Sequence, residues 1–335
     1  MRKFKALLVL SVILGVLVSV FFFLKGQLKK TASPLPVDTD KFLTFYESGD
    51  IREIAVQNEW GAFTLSQENG KVTLSNLPME ETIFEYIEML LDESAKITYS
   101  DLVNSPGDDL SLYGLDPPGA QVTIRYRDAN SLTLLFGAVE PVSRGRYFTI
   151  NDNAVYLMPA HRAARFLMPL TRFINYEITP FFSFTSPLSA IKRLRFSGEA
   201  FNAPVGIEEV RSDDPDGMRR AASFGAATHV ITSPGFHEID QGECIRVFGS
   251  LMGLLNIDVL DYNCDDAKLA SYGFDEPYVR AEYDFKRDEN APIERITLKA
   301  ARYQGGFIAL REGSRTVHRI ESEAFLHTSY EKLAS

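Results

Sequence analysis

Five histidines are the residues best able to hold a metal or move protons, and their spacing decides whether they can act together. They are His161, His229, His237, His318 and His327. A zinc-protease helix needs two histidines four residues apart, with a glutamate after the first. The stretch that begins at His237 reads His-Glu-Ile-Asp-Gln, so Gln241 stands where the second ligand is required. We therefore expect the polar start of a helix there, and we predict neither a metal site nor a cofactor.

Motifs for nucleotide hydrolysis and acyl transfer do not occur in the sequence. There is no Gly-x-x-x-x-Gly-Lys-Ser/Thr phosphate loop and no Gly-x-Ser-x-Gly nucleophile elbow. This excludes an ATPase role for the chain itself, and we expect that it is not an enzyme. A hydrolase with an unrecognised site stays as the least favoured alternative, because a sequence cannot show whether two carboxylates flank a scissile bond.

The cysteine count sets a limit on covalent cross-linking. Only Cys244 and Cys264 occur, which rules out a disulfide-dense scaffold and leaves no Cys-x-x-Cys pair for a metal. In an oxidising compartment these two could form a disulfide, since the chain runs out along a predicted helix and returns before Cys264. Two free thiols are the alternative.

An uncharged apolar run extends from Ala6 to Leu24. At about 1.5 Å per residue, a helix of that length crosses most of a bilayer core. A cleaved signal peptide has a shorter apolar core and a small-x-small site directly after it. We therefore predict a signal-anchor transmembrane helix in residues 1–30 and a spacer in residues 31–40. The bilayer is the predicted partner of Ala6–Leu24.

Charge is distributed unevenly along the chain, whose formal net charge is −10. Residues 1–30 contain lysine and arginine but no acid, so the remainder is more acidic than the whole. An acidic domain repels phosphate backbones, and we predict no nucleic-acid partner. Basic residues flank both ends of the apolar run, so charge alone does not fix its orientation in a membrane.

One stretch of sequence occurs twice, at Leu110–Pro118 and again 159 residues later at Leu269–Pro277. Self-similarity of this kind indicates a duplicated structural unit. Glycine can adopt a positive φ, aspartate can bond its own backbone and proline fixes φ, so the motif is good turn chemistry. We interpret it as structural rather than as a ligand site. Its recurring residues are Tyr113, Gly114, Asp116 and Pro118, then Tyr272, Gly273, Asp275 and Pro277.

Hydrophobic periodicity predicts the elements that surround each motif. Alternating residues indicate strands in both copies, and Asn69-Gly70 is a strong hairpin signal. Helical spacing predicts a principal helix at Met79–Leu91 and another at Gln241–Leu255. Together with the anchor, this predicts an α+β chain with two tandem copies of an antiparallel sheet, each covered by one principal helix. The predicted domains are residues 41–175, which include a connecting helix at Pro159–Asn175, and residues 176–330.

The second copy carries a predicted insertion of about 22 residues between Ser197 and Glu238. Added length in a surface loop costs little entropy, so the insertion could be a tolerated loop. Alternatively it is a docking segment, because Arg219 and Arg220 offer charge-assisted contacts on an otherwise acidic domain. Both interpretations stay open from the sequence.

The repeated motif resembles the domain of unknown function 4340 family, whose members are extracytoplasmic auxiliary proteins of gliding-motility-type ABC transport systems. In that family the Gly-Leu-Asp-x-Pro turn precedes two strands, a glycine, and an aromatic pair before a final strand. Here Gly114–Pro118, Gly137 and Tyr147-Phe148 match that order, whereas the second copy has Ala301 in place of the glycine.

The resemblance implies a membrane-anchored accessory protein whose large C-terminal domain lies outside the cytoplasm. The implied partner is an ABC transporter permease or another envelope protein, and the role is binding or scaffolding. A second hypothesis is a module that binds cell-wall polymer or another surface ligand, for which Trp60 and exposed aromatic residues are the hints.

Overall fold

The structure is a computed structural model that describes residues 41–75, 77–104, 109–142, 144–150, 154–184, 186–210 and 228–334. The predicted transmembrane helix at Ala6–Leu24 and the spacer in residues 31–40 lie outside the described residues. Within the described part, no helix combines the length and the apolar character that crossing a membrane requires.

The first sheet has eight antiparallel strands in the order β4-β3-β2-β7-β8-β9-β10-β6. Its strands are β2 (Ile51–Asn58), β3 (Gly61–Glu68), β4 (Lys71–Leu74), β6 (Asp101–Asn104), β7 (Ala120–Tyr126), β8 (Ser131–Val139), β9 (Gly145–Thr149) and β10 (Val155–Pro159). A separate pair joins β1 (Lys41–Phe42) to β5 (Thr98–Tyr99). The predicted hairpin turn is confirmed, because Asn69 and Gly70 both have positive φ, as a two-residue turn with Asn-Gly requires.

The second sheet has nine antiparallel strands in the order β14-β13-β12-β11-β16-β17-β18-β19-β15. They are β11 (Ile191–Ser197), β12 (Val205–Glu209), β13 (His229–Ser233), β14 (His237–Glu238), β15 (Asp258–Asp261), β16 (Val279–Phe285), β17 (Glu294–Tyr303), β18 (Gly306–Arg311) and β19 (Val317–Ile320). The run from β12 through β11 to β15 repeats the order of the run from β3 through β2 to β6. The internal repeat is therefore a repeat of strand topology.

Register confirms that the two sheets are copies of one module. Ile51 pairs with Tyr126 in the first sheet, and Ile191 pairs with Phe285 in the second. Each of these strand pairs has a register shift immediately after that first residue. A bulge at the same place in both sheets is typical of a feature fixed by the fold.

The predicted α+β class is wrong, because the described chain is mostly β-sheet, with three antiparallel sheets and six short helices. The helices are α1 (Phe84–Ala95), α2 (Ala160–Leu167), α3 (Pro187–Ala190), α4 (Gln241–Leu251), α5 (Asp266–Ser271) and α6 (Tyr330–Leu333).

Two of the predicted helices have different bounds in the structure, and a proline explains where the second one ends. The segment predicted as Met79–Leu91 opens with a 3-10 turn at Met79–Glu81, and the α-helix begins only at Phe84. The helix predicted to reach Asn175 ends at Leu167, since Met168 precedes a proline and is extended. A residue before proline is disfavoured in the helical conformation.

The second sheet buries side chains on both of its faces. Along β17, Ala300 belongs to the core that includes helix α4, whereas its neighbour Ala301 belongs to a separate cluster with Ile308 and Leu310. Consecutive residues of a strand point to opposite faces, so the two clusters lie on opposite sides of the sheet. The sheet therefore separates two hydrophobic cores.

A buried tyrosine joins the covering helix to the sheet in each module. The Tyr126 hydroxyl of β7 donates to the Ser94 carbonyl in α1 at 3.0 Å, and the Tyr283 hydroxyl of β16 donates to the Leu251 carbonyl in α4 at 3.0 Å. Burial raises the pKa of Tyr126 to about 12 and also raises that of Tyr283. Carbonyls at the end of a helix lack intrahelical partners, and these hydroxyls supply one. We call this pair of contacts the tyrosine clamp.

The first module also joins two helices through a buried charge. Glu93 of α1 is 2% exposed and accepts from Arg162 at 2.9 Å and Arg165 at 2.6 Å, both on α2. In the second module, Phe325 and Leu326 are buried in the core beside α4 instead. The two copies thus secure the same covering helix by different chemistry.

By the clustering of its contacts the chain forms two compact units. The first comprises the described residues up to Glu68 together with Glu88–Met168, and the second comprises Asn69–Ile87 together with Pro169–Ser335. The predicted domains, residues 41–175 and 176–330, stay a prediction about which segments fold independently.

The tyrosine clamp leads to a stability prediction. Tyr126→Phe should lower the free energy of unfolding by about 1–3 kcal/mol, because it leaves the buried Ser94 carbonyl without its donor. Tyr283→Phe should cost less, because the Thr179 hydroxyl also donates to the Leu251 carbonyl, at 2.8 Å. Urea unfolding followed by circular dichroism measures the change. The control is Tyr176→Phe, at a side chain that is half exposed, and it should stay within about 0.5 kcal/mol of the wild type. Wild-type midpoints for both clamp variants would contradict the assignment.

Candidate functional site

The two motif turns use glycine as the sequence predicts. Gly114 has φ of 66° and Gly273 has φ of 85°, a region that side-chain-bearing residues avoid. Space is also restricted around the first turn, where a Cβ on Gly137 would lie 2.2 Å from the Tyr113 carbonyl oxygen. The second copy has more space at this place, where Ala301 replaces the glycine. Even a Cβ added to Gly273 would lie 3.8 Å from the Ala301 methyl group, an ordinary contact distance.

The predicted role of the motif aspartates is wrong. Asp116 and Asp275 are exposed, and their side chains have no hydrogen-bond partner within the described part of the chain. The capping bonds come from earlier residues. Asp109 accepts from the Ser111 amide at 2.9 Å, and Asp265 accepts from the Lys268 amide at 2.7 Å. These side chains satisfy amides at the start of the short helical segment that runs into each motif turn.

The motif tyrosines and prolines take part in packing. Tyr113 meets Tyr147 edge-on at 5.1 Å, and Tyr272 meets Tyr303 edge-on at 5.5 Å. Pro118 is exposed, whereas Pro277 is buried. In the second copy alone, the Tyr272 hydroxyl donates to Asp261 at 2.8 Å. Burial and that hydrogen bond raise the pKa of Tyr272.

The predicted disulfide is not present, because Cys244 and Cys264 are both free and buried. Cys244 packs in the core with α4, and Cys264 packs in the cluster on the opposite face with Ala301 and Ile308. The sheet stands between them, so the out-and-back path of the chain does not bring them together. Burial raises the pKa of Cys244 to about 12 and that of Cys264 to about 11.

The predicted docking residues Arg219 and Arg220 lie outside the described residues. The strands on either side are described, and Glu209 of β12 pairs with His229 of β13. The predicted insertion therefore falls in the connection of one antiparallel hairpin. Docking through these arginines stays a prediction.

The histidines are distributed over separate places in the fold. His237 is in the short strand β14, and the helix that follows starts at Gln241, with Asp240 accepting from the Glu243 amide at 2.7 Å. The polar helix start is confirmed. His229 is buried, and its Nε2 donates to the Ile191 carbonyl at 2.9 Å. Among the described residues, no three His, Cys, Asp or Glu side chains are placed to hold a metal ion.

A polar cavity of about 310 Å³ lies within the second unit. We call it the His318 cleft. Three chain segments line it, from residues 80–81, 174–178 and 311–318. Backbone bonds hold the first two segments together, because the Asn175 amide donates to the Glu81 carbonyl at 2.7 Å. The Thr316 hydroxyl donates to Glu81 Oε2 at 2.7 Å and joins the third.

His318 on β19 gives the cleft its one buried imidazole. The side chain is 6% exposed, and Nδ1 lies 2.9 Å from Nδ2 of Asn256. An amide nitrogen can only donate, so Nδ1 accepts and the ring proton is on Nε2. Burial lowers the pKa of His318 to about 4, which keeps the ring neutral at physiological pH. Within the described chain, Nε2–H has no hydrogen-bond partner.

The charged groups of the cleft are predominantly acidic. Among the described residues of the lining, Arg311 is the one cation, and four glutamates accompany it: Glu80, Glu81, Glu177 and Glu312. Neutral His318 adds no charge at pH 7. The cleft is therefore negative and contains one unused N–H donor.

A second cavity, of about 370 Å³, is lined by aromatic and basic side chains at the β17–β18 turn. The Arg302 guanidinium lies 4.1 Å from the centre of the Tyr278 ring. Phe307 meets Tyr278 at 5.7 Å and His327 at 5.9 Å. We call this the Tyr278 pocket. By contrast, Phe148, Tyr283 and Phe285 are buried in the core, and Tyr147 is half-buried.

The sequence search did not find the His318 cleft. Its lining comes from segments more than two hundred residues apart, and none of them carries a recognised motif. In the sequence, His318 lies at an inward-facing position of a predicted strand. Such a position is also typical of an ordinary core residue, so it does not indicate a cavity. Assembly of the fold is what brings the glutamates to it.

The fold and its turns define an antiparallel β protein built from an internally repeated module. Residues 75–195 match the family model described as Domain of unknown function (DUF4340). That range contains the first motif and strands β7 to β10, and it supports the resemblance seen in the sequence. No curated protein and no solved structure matches the chain.

The close approach at Gly137 leads to a prediction about the motif. Gly137→Ala should lower the free energy of unfolding by about 1–3 kcal/mol, since its methyl group would overlap the Tyr113 backbone. Thermal or urea unfolding measures it. Gly119→Ala is the matched control, because a Cβ there would make an ordinary contact at 3.7 Å. If the two variants were equally stable, the glycine would not be required by packing.

Burial of neutral His318 predicts a pH-dependent stability. Between pH 6.5 and about 4 the unfolded chain binds a proton that the folded chain does not, so acid favours unfolding. Replacing the residue by glutamine removes this effect. As the pH falls through that window, the free energy of unfolding of His318→Gln should rise relative to that of the wild type. The expected gain is up to about 1.4 kcal/mol for each pH unit.

Urea unfolding at a series of pH values measures the difference, so that contributions common to both proteins cancel. The matched control is His327→Gln, at an exposed histidine. A stability difference that stays constant from pH 6.5 to 4 would show that His318 is not buried in the neutral form.

Proposed function

We propose that this chain is an extracytoplasmic accessory protein at the cell membrane, and that it serves as a binding or scaffold subunit of an ABC-type transport system rather than as an enzyme. One observation carries the proposal. The residues that the two copies share, Gly114 and Gly273 with Tyr113 and Tyr272, are used for turn geometry and packing in both. What was duplicated is an architecture, which suits a protein that presents surfaces.

Sequence features support the location. The apolar run Ala6–Leu24 has the length and composition for association with a bilayer, and the rest of the chain is acidic. The resemblance to the family matched by residues 75–195 favours a large C-terminal part on the extracytoplasmic side.

Exposed apolar side chains of the first unit support a protein partner such as a permease. Leu102 on β6 is 54% exposed, and Leu112 within the first motif is 76% exposed. Val139 and Val142, at the end of β8 and just beyond it, are also exposed. Exposed large apolar residues on an acidic domain suit protein–protein contact where they adjoin one another.

A surface-ligand module is the second candidate, and the Tyr278 pocket favours it. Aromatic faces beside an arginine suit stacking and hydrogen bonding to a polymer unit. Trp60 in the β2–β3 turn is 66% exposed, although it belongs to the other unit. Co-sedimentation with isolated cell-wall material tests this role, with Arg302→Ala and Tyr278→Ala as variants. Loss of sedimentation in both variants supports it, and no sedimentation of the wild type rejects it.

The transport role predicts a defined set of neighbours. Chemical cross-linking of the full chain in native membranes, followed by mass spectrometry, should identify an ABC transporter permease. Replacing residues 213–227 with a short Gly-Ser link tests whether the hairpin connection docks, and a variant with Leu112→Ser and Val142→Ser tests the apolar surface. Cross-links to no transporter component, in a sample where the protein is folded, would contradict the proposal.

A further inference from the structure

An exposed aromatic and basic surface lies where the described chain begins. The Phe42 ring meets the Phe45 ring edge-on at 5.8 Å, and Lys96 Nζ lies 5.1 Å from the centre of the Phe45 ring. Lys41 directly precedes Phe42 in β1 and is exposed. We call Lys41, Phe42, Phe45 and Lys96 the Phe45 patch. We propose that the Phe45 patch rests on the surface of an anionic lipid bilayer and holds the first module against it.

The two phenylalanines are not needed to hold this segment on its module, because they are 54% and 69% exposed. The Leu43 amide donates to the Ile97 carbonyl at 2.8 Å, and the Tyr46 ring stacks on the Tyr126 ring at 3.9 Å. These contacts fix the backbone on either side of Phe45, so its ring has a defined place outside the core. Large apolar rings that adjoin one another on a surface are typical of an interaction site.

The second module shows that the same segment can pack its aromatic residue against a core. Phe42 and Phe182 stand at the same distance before Ile51 and Ile191, the first residues of β2 and β11. Phe182 packs against the core of the second unit, whereas Phe42 is exposed. Exposure of the aromatic side chain is therefore particular to the first copy and is not a requirement of the fold.

The place of the patch in the chain points to a bilayer as the partner. Only residues 25–40 separate it from the apolar run Ala6–Leu24. A chain of that length reaches at most about 55 Å when fully extended, so a bilayer that takes up the apolar run stays within reach of the patch. This inference rests on the membrane location proposed above.

Charge favours anionic lipid as the surface. Neither Lys41 nor Lys96 forms an ion pair or a side-chain hydrogen bond with any residue that the structure describes. The chain as a whole has a formal net charge of −10, so two such lysines beside exposed rings are a local exception. At a membrane surface, lysine ammonium groups meet the phosphates while aromatic rings enter the headgroup boundary.

Tryptophan fluorescence in vesicles tests the proposal. The full chain with Phe45→Trp and Trp60→Phe is reconstituted into phosphatidylcholine–phosphatidylglycerol vesicles with brominated acyl chains. Its emission should fall at least about twofold relative to unbrominated vesicles, because an interfacial ring lies about 5–10 Å deep, at the acyl boundary. The matched control is the wild-type chain, whose Trp60 is 66% exposed and lies in the turn at the far end of β2, about 20 Å from Ile51. Emission from Trp60 should change little.

Charge variants of this reporter chain test the part played by anionic lipid. Lys41→Glu should weaken the contact about fivefold or more, since each lysine near an anionic surface contributes about that factor. Lys71→Glu, at an exposed lysine on β4, makes the same change in net charge and should leave the quenching unaltered. Equal quenching in these two variants would contradict the role of Lys41.

Flotation of the vesicles separates this inference from the membrane location. If the chain floats with the vesicles while position 45 is quenched no more than Trp60, the patch does not contact lipid and the inference is wrong, although the location stands. If the chain does not float, the location fails and the inference fails with it. Protection of position 45 from acrylamide, without quenching by brominated lipid, would show that a second copy of the chain covers the patch instead.

Discussion

A buried hydroxyl that satisfies the end of a covering helix is the contact on which each module depends. A helix that lies on a sheet must bury its apolar stripe, yet its last carbonyls have no partner within the helix. Ser94 and Leu251 carry such carbonyls, and Tyr126 and Tyr283 reach them from the central strand of the respective sheet. Without its tyrosine the buried Ser94 carbonyl would be unsatisfied, whereas the Leu251 carbonyl also accepts from the Thr179 hydroxyl at 2.8 Å.

Strand register shows that this contact was kept although its position changed. Tyr126 pairs with Ile51, and the residue that pairs with the equivalent Ile191 is Phe285, not Tyr283. The hydroxyl has therefore moved by two residues along the strand, which keeps it on the same face. The two copies otherwise differ in the chemistry around the helix, with the ion pairs of Glu93 in one and apolar packing by Phe325 in the other. Both modules thus keep a tyrosine hydroxyl at the end of the covering helix, while the other contacts of that helix differ. Two copies that diverged after a duplication would have this pattern.

Much of the β-structure could be predicted from the sequence because its signals are local. Alternating burial along β16, the Asn69-Gly70 turn and the recurrence of Gly114 at Gly273 each depend on neighbouring residues. The wrong predictions concern contacts between residues, which depend on how distant segments of the chain fold together. A sheet separates Cys244 from Cys264, which no spacing could reveal. Asp116 was expected to bond its own backbone in the turn, yet the side chain that bonds a backbone amide there is Asp109.

The His318 cleft could not be predicted from the sequence either, because its lining residues are far apart in the chain. Glu81 and Thr316 are bonded side chain to side chain across 235 residues of sequence, and His318 reads locally as a core residue of a strand. Its chemistry depends on a tautomer fixed by Asn256, a contact that follows from the pairing of β15 with β19 nearby. The candidate site is thus a product of tertiary structure, whereas the repeat is already visible in the chain.

We expect each covering helix and its sheet to unfold as one cooperative module. Hydrogen-exchange mass spectrometry of the full chain under native conditions tests this most directly, by comparing peptides from α1 with β7 and from α4 with β16. We expect each helix to exchange as slowly as the strand that clamps it, because both open only when the module unfolds. A helix α4 that exchanges much faster than β16, or α1 much faster than β7, would contradict the account.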